Sequence, residues 1–181
     1  MNIPFNMDYD IDESLREIPK HRNSFAEGIN FILKESNGKT GMEKARLLSQ
    51  ARVYQRISGD LNESLFNLEK TRALLSKMDQ PRLKAINDIR IAQTLQFLQR
   101  FDESEKLYLR LEKEIQGHKE LNSLLDFVFQ HLGKLLFDQH RFTEAIERFE
   151  KALELRQQKS DPELIDSTLY AIEVAKQKLS E

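Results

Sequence analysis

Three stretches of this sequence repeat one another. SGDLNESLFNLEKTRALL from Ser58, QRFDESEKLYLRLEKEI from Gln99 and HRFTEAIERFEKALEL from His140 align on a small residue that follows an acid. The anchors are Ser64, Ser104 and Ala145, spaced 40 and 41 residues apart. A fixed period of this size is the mark of stacked supersecondary units, and it limits the fold more than any single motif. Each anchor has an apolar residue three before it (Leu61, Phe101, Phe142) and another four after it (Leu68, Tyr108, Phe149). Offsets of three and four lie on one face of a helix.

The segment before each anchor also reads as helix. Leu47, Leu48, Ala51, Tyr54 and Ile57 form one stripe, and Ile86, Ile89, Ala92, Leu95 and Leu98 a second. Leu125, Phe129, Leu132, Leu136 and Phe137 form a third. Only Gly59-Asp60, Gln99-Arg100 and His140-Arg141 separate the members of each pair, and so short a break folds two helices into an antiparallel hairpin. Pro81 and Pro162 sit where new helices start, a position that tolerates the missing N–H. Gly117 supplies a helix stop after the second hairpin. Upstream, Phe25, Ile29 and Ile32 mark one more helix, which Asn37-Gly38 ends. Downstream, Ile165, Leu169, Ile172 and Leu179 mark a closing cap.

The resulting map places helices near 24–36, 42–58, 61–77, 81–98, 101–116, 120–139, 142–158 and 162–179. The repeats run over about 42–78, 81–117 and 120–158, inside a helical domain of 24–181. No stretch alternates with period two for long enough to make a strand. The expected class is all-α, an α-α superhelix of antiparallel hairpins. Composition agrees, because the chain has only six Gly and four Pro for turns that a strand-rich fold would need in number.

Residues 1–23 form an acidic segment. Up to Pro19 it holds Asp8, Asp10, Asp12, Glu13 and Glu17 against Arg16 alone, with Phe5, Tyr9 and Ile11 interleaved. Two readings stay open: a frayed tail, or a short peptide that packs on the protein's own surface or on a neighbouring copy.

The residues resemble the tetratricopeptide repeat family. Leu132, Gly133, Phe142, Glu144, Ala145, Phe149, Ala152 and Leu153 carry the match in the third unit. Ala92, Phe101, Ser104, Tyr108 and Leu111 carry it less fully in the second. In the first, Arg52 replaces a small residue and Thr71 stands where Ala152 does. The period is similar to that of the longer-helix members found in kinesin light chain and in bacterial peptide-sensing regulators.

The resemblance implies a concave surface lined by the first helix of each unit, which takes an extended peptide or a partner helix. By position, the candidates are Arg46, Ser49, Val53 and Arg56 in the first unit. Gln93, Gln96 and Phe97 follow in the second, and Gln130, Lys134 and Asp138 in the third. Together they describe a polar, mildly basic groove. Members that clamp chaperone C-termini use Lys and Asn here; Ser49 with Val53, and Ile89 with Gln93, speak against that clamp. The expected job is a non-catalytic scaffold or adaptor, with self-assembly or sensing of a small signalling peptide as alternatives.

Other chemistries fail on their own requirements. Gly38-Lys39-Thr40 ends like a phosphate-binding loop, but Leu33 stands where its first Gly belongs, in a helical pattern. Asp8-Tyr9-Asp10-Ile11-Asp12 begins like a calcium loop, but Glu13 and Pro19 hold the places of its Gly and its bidentate Glu. His21, His118, His131 and His140 never fall on one helical turn, Cys is absent, and no nucleophile pairs with a histidine. No metal, cofactor or catalytic residue is therefore expected. A net charge of −2 lacks the basic excess that nucleic acid rewards. With neither a signal sequence nor a run of about 20 apolar residues, no membrane partner is expected and the cytoplasm is the expected location.

Overall fold

The computed structural model describes residues 2–181. Among these, eight α-helices follow a small hairpin: β1 (Tyr9–Ile11), β2 (Glu17–Pro19), α1 (Arg22–Asn37), α2 (Gly41–Ser58), α3 (Leu61–Leu75), α4 (Pro81–Phe97), α5 (Phe101–Gln116), α6 (Leu125–Asp138), α7 (Phe142–Lys159) and α8 (Pro162–Ser180). The chain divides into two compact units, Met1–Gln80 and Pro81–Glu181. In the first, α2 packs on both α1 and α3. In the second, each helix from α4 to α8 packs on the next. The fold is all-α and built from antiparallel hairpins, as the sequence period requires.

The breaks at Gly59, Gln99 and His140 are one structure made three times. All three residues are left-handed, with φ of 93°, 60° and 60°. The amide of the following residue reaches back five positions, from Asp60 to the Gln55 carbonyl, from Arg100 to Leu95 and from Arg141 to Leu136, each at 2.9 Å. The amides of Gly59, Gln99 and His140 themselves donate to the carbonyls of Arg56, Gln96 and Phe137. This is the Schellman closure, which satisfies carbonyls left over at a helix end and reverses the chain. The carbonyls of Asp60, Arg100 and Arg141 then accept the first bonds of the next helix, from the amides of Ser64, Ser104 and Ala145. Arg100 and Arg141 add bidentate bonds to Glu103 and Glu144, one helical turn on.

The anchors mark where the paired helices cross. Ser64, Ser104 and Ala145 are all fully buried. The hydroxyl of Ser64 donates to the Arg52 carbonyl at 3.0 Å, and that of Ser104 to the Ala92 carbonyl at 2.8 Å. In the third hairpin Gly133 holds the equivalent place, and the Phe149 ring lies over it. A Cβ at Gly133 would stand 2.5 Å from that ring. Leu68, Tyr108 and Phe149, four residues past the anchors, are buried beneath these crossings. In the first hairpin the small residue is replaced by Arg52, only 5% exposed. Its Nη1 donates to Gln55 at 2.7 Å, its buried Nε has no hydrogen-bond acceptor, and burial lowers its pKa.

Three features differ from the expected map. First, two strands exist. They pair antiparallel, with Asp10 opposite Ile18. At three residues each they are too short for a period of two to register. Second, residues 119–124 are not α-helix. Lys119–Leu124 form a 3-10 helix, and α6 begins at Leu125. Leu121 and Leu124 are its buried residues, and a spacing of three matches a helix with three residues per turn. Third, the cap turns a different face inward. Leu169 and Leu179 are 47% and 54% exposed, while Thr168, Ala171, Ile172 and Ala175 are buried. Small side chains let α8 approach α7 closely, so bulk was the wrong guide to its buried stripe.

Gly117 has φ −77°, which any residue adopts; the stop after α5 comes with the extended His118 that follows. At the start of the cap the expected cap chemistry is present. Pro162 is the first helical residue, and the Asp161 carboxylate accepts the Leu164 amide at 3.2 Å.

Candidate peptide-binding face

The ten candidate positions have different fates in the fold. On α2, Arg46 is exposed and Val53 half-buried, whereas Ser49 and Arg56 are buried. The Arg56 guanidinium pairs with Glu17 of β2 at 3.0 Å. In the second unit Gln93, Gln96 and Gln130 are buried, and Phe97, Lys134 and Asp138 are half-buried.

What the second unit brings together is the facing surface of α4 and α6. Gln93 Nε2 lies 2.7 Å from Nε2 and 2.9 Å from Nδ1 of His131, so the amide donates to whichever ring nitrogen is unprotonated. One turn further along α4 and two along α6, Gln96 Nε2 donates to Asp138 Oδ2 at 3.0 Å. These bridges fix the spacing between α4 and α6 with polar groups at the surface. Two of the expected glutamines thus spend side-chain donors within the wall. The carbonyl oxygen of buried Gln130 accepts no hydrogen bond.

Next to the Gln93–His131 bridge a cleft of about 330 Å³ opens. Ile86 and Ile89 of α4, Leu124 of the 3-10 helix and Phe127 of α6 give it an apolar floor. Arg82 and Arg90 place guanidinium groups at it, and Gln93 and His131 close it. The Arg82 fork is held by the Ser123 hydroxyl at 2.6 Å. Phe127 is held from behind by cations: Arg156 stands 5.6 Å and Lys159 5.4 Å from its ring centre. Those two cations flank Asp126, which is wholly buried and 3.2 Å from Arg156 Nε. Arg156 also donates to Thr168 of α8 at 2.6 Å. Burial lowers the Arg156 pKa, and Asp126 opposes that shift. The floor of the cleft therefore rests on an ion-paired core that ties α6, α7 and α8 together.

Of the ten candidates, Gln93 lines this cleft. Arg82, Ile86, Arg90, Phe127 and His131 were not among them. The signal was present on α4: Arg82, Ile86, Ile89 and Gln93 follow helical spacing, one or two turns nearer its start than the positions taken over from the family pattern. The partner of His131 is 38 residues away, and no local spacing reveals it. The remaining chemistry is spare. Among the described residues no three acidic or histidine groups gather as a metal site, and no helix is long and apolar enough to cross a membrane.

Comparison with known proteins bears on the third hairpin first. Residues 129–163 match the family model of the tetratricopeptide repeat. The match runs from mid-α6 through α7 into the start of α8, and it contains the Gly133–Ala145 crossing. The chain carries a tetratricopeptide repeat. Among solved structures, a crystal structure of nearly identical TPR-like repeats, from a candidate kinesin light chain of Podosopora anserina, superposes with a TM-score of 0.61. It covers 87% of this chain and 80% of the other, at 13% identity, so the likeness is one of fold. No curated protein matches the chain in sequence. Tetratricopeptide repeats generally mediate protein–protein interaction.

Proposed function

We propose that the chain is a non-catalytic interaction module, a scaffold or adaptor, and that the α4–α6 face of its second unit receives a peptide or partner helix. The cleft beside Gln93 and His131 is the observation that carries this reading. It offers an apolar floor for one or two side chains beside guanidinium groups that attract a carboxylate, the mixture that small specific sites use. Gln96, Phe97, Gln130, Lys134 and Asp138 extend the same wall in this reading. Arg46, Ser49, Val53 and Arg56 form the corresponding face of the first unit.

The test is selection of peptides from a displayed library against the purified chain, followed by titration with the Ile86→Asp and Arg90→Glu variants. Bound peptides are expected to lose roughly tenfold or more in affinity when a central contact is removed, while the helical circular-dichroism melt stays in place. Peptides that bind both variants as tightly as the parent chain would refute the face.

A second reading, self-assembly, has its own observation. Leu169, Tyr170 and Leu179 on α8 are 47%, 40% and 54% exposed, apolar side chains left at the surface of the last helix. Light scattering over a wide concentration range tests it, and a monomer throughout would dismiss it.

A further inference from the structure

The first unit carries an occupant of its own. Residues 3–19 lie against α1 and α2 through four kinds of contact. Ile3 packs on the buried Ile32, Leu47 and Ala51. The Phe5 ring meets Phe31 edge-on, with centres 6.1 Å apart. Met7 fills a notch on α1 that exists because residue 28 is glycine; a Cβ there would stand 2.2 Å from its sulfur. Glu17 pairs with Arg56 at 3.0 Å, with side chains only 13% and 4% exposed.

The hairpin itself is bonded mostly to itself. Asp12 and Leu15 close its turn through backbone bonds, the Asp12 carboxylate accepts the amides of Ser14 and Arg16, and Lys20 pairs with Asp10. Leu15 takes the left-handed position of that turn, at φ 59°, where glycine is normally found, and it does so with its side chain buried. A lone two-stranded hairpin is marginal in water, so it holds its shape by docking on the helices. The docked segment is acidic, its apolar groups are interleaved with its acids, and its Glu17 carboxylate lands on Arg56 of α2.

We propose that the α1–α2 face is a binding site for acidic, extended segments of other proteins, and that residues 3–19 are its tethered, displaceable occupant. A partner would present a carboxylate to Arg56 and a slim apolar side chain to the notch at Gly28. The tether at Lys20–His21 holds the resident segment at high local concentration, so the site stays closed until a competitor of matching chemistry displaces it. This inference rests on the reading of Arg56 as part of the first unit's interaction face, and its test does not involve the α4–α6 cleft.

The test uses the full-length chain and a fluorescent peptide copying residues 2–20. Glu17→Lys with Phe5→Ala loosens the resident segment without touching the receiving helices. That double variant is expected to bind the peptide saturably, roughly tenfold or more tighter than the parent chain, where the tethered copy competes. Adding Arg56→Glu should remove the binding, and a scrambled peptide should not bind. Equal anisotropy curves for all three chains, or none for a double variant that keeps its helical spectrum, would overturn the proposal. Hydrogen exchange of the unaltered chain decides independently of any variant. The hairpin amide of Asp12 should exchange through local opening, with far less protection than mid-α2 amides. Equal protection would mean the segment leaves only on global unfolding, and the proposal would fail. A dimer of the parent chain with exchanged segments would assign the face to a second copy and overturn it as well.

Discussion

Replacing Gly133 by Ala sets two known effects against each other at one atom. A glycine inside a helix is about 1 kcal/mol worse than alanine, so propensity alone favours the substitution. The structure opposes it. The new Cβ would stand 2.5 Å from Cε1, 2.6 Å from Cδ1 and 3.1 Å from Cζ of Phe149. Carbon atoms rest at about 3.5–4.0 Å, so the ring would have to withdraw by roughly 1 Å. Phe149 is fully buried, and its withdrawal pushes on α6 and α7 at their crossing. Forcing a methyl group into so filled a place costs about 1–3 kcal/mol. The net expectation is a loss of roughly 1 kcal/mol after the propensity gain, seen as a lower denaturation midpoint in urea. The coupling to Phe149 makes the reasoning sharp. Phe149→Leu alone leaves a void, and the alanine methyl should partly fill it. A double-mutant cycle is therefore expected to show about 1–2 kcal/mol of favourable coupling. A Gly133→Ala chain more stable than its parent, or a coupling indistinguishable from zero, would refute the close helix crossing as the reason for the glycine.

Three other expectations follow from the same packing. Arg52→Met should leave stability unchanged or raise it by about 1–2 kcal/mol in chemical denaturation, since it replaces a buried, incompletely bonded guanidinium by an apolar chain of similar reach. Asp126→Asn should cost about 3 kcal/mol or more, because it leaves Arg156 and Lys159 with no anion between them, and the loss should appear calorimetrically in the cooperative melting of α6, α7 and α8. The Arg141 fork holds the Glu144 carboxyl below the usual carboxylate range. The resulting stabilisation is present above the ordinary value near pH 4.5 and is lost as pH falls through the depressed one. Carboxyl NMR should show Glu144 titrating at lower pH than an exposed glutamate, and Arg141→Ala should return it to the ordinary range.

The hairpin architecture was legible because it rests on local signals repeated in register. The small anchors, the apolar residues three before and four after them, and the short breaks each recur at 40 and 41 residues. What did not read through involves partners distant in sequence or residues in unexpected roles. The turns at Gln99 and His140 adopt a left-handed conformation without glycine, held there by the bonds from Arg100 and Arg141 back to the preceding helix. The Met7 notch and the Glu17–Arg56 pair join an acidic segment, which the sequence leaves open as a frayed tail or a docked peptide, to a helix face taken from the family pattern as groove. The cleft at Ile86 and Phe127 needs α4 and the 3-10 turn before α6 side by side, and no periodicity within one helix gives that.

The amino-acid order alone settled that this chain makes helices, where they break, and that neighbours fold back as antiparallel pairs. Those properties depend on contacts three or four residues apart and on turn geometry, and both are written locally. Tertiary structure decided which polar residues pair across the fold and which line the cleft. Burial and pairing are set by whatever lies across the interface: Arg56 is neutralised by Glu17, Gln96 donates to Asp138, and Arg82, held by Ser123, lines the cleft with Arg90. A helix face is a surface in the sequence, and only its neighbour makes it a core or a site.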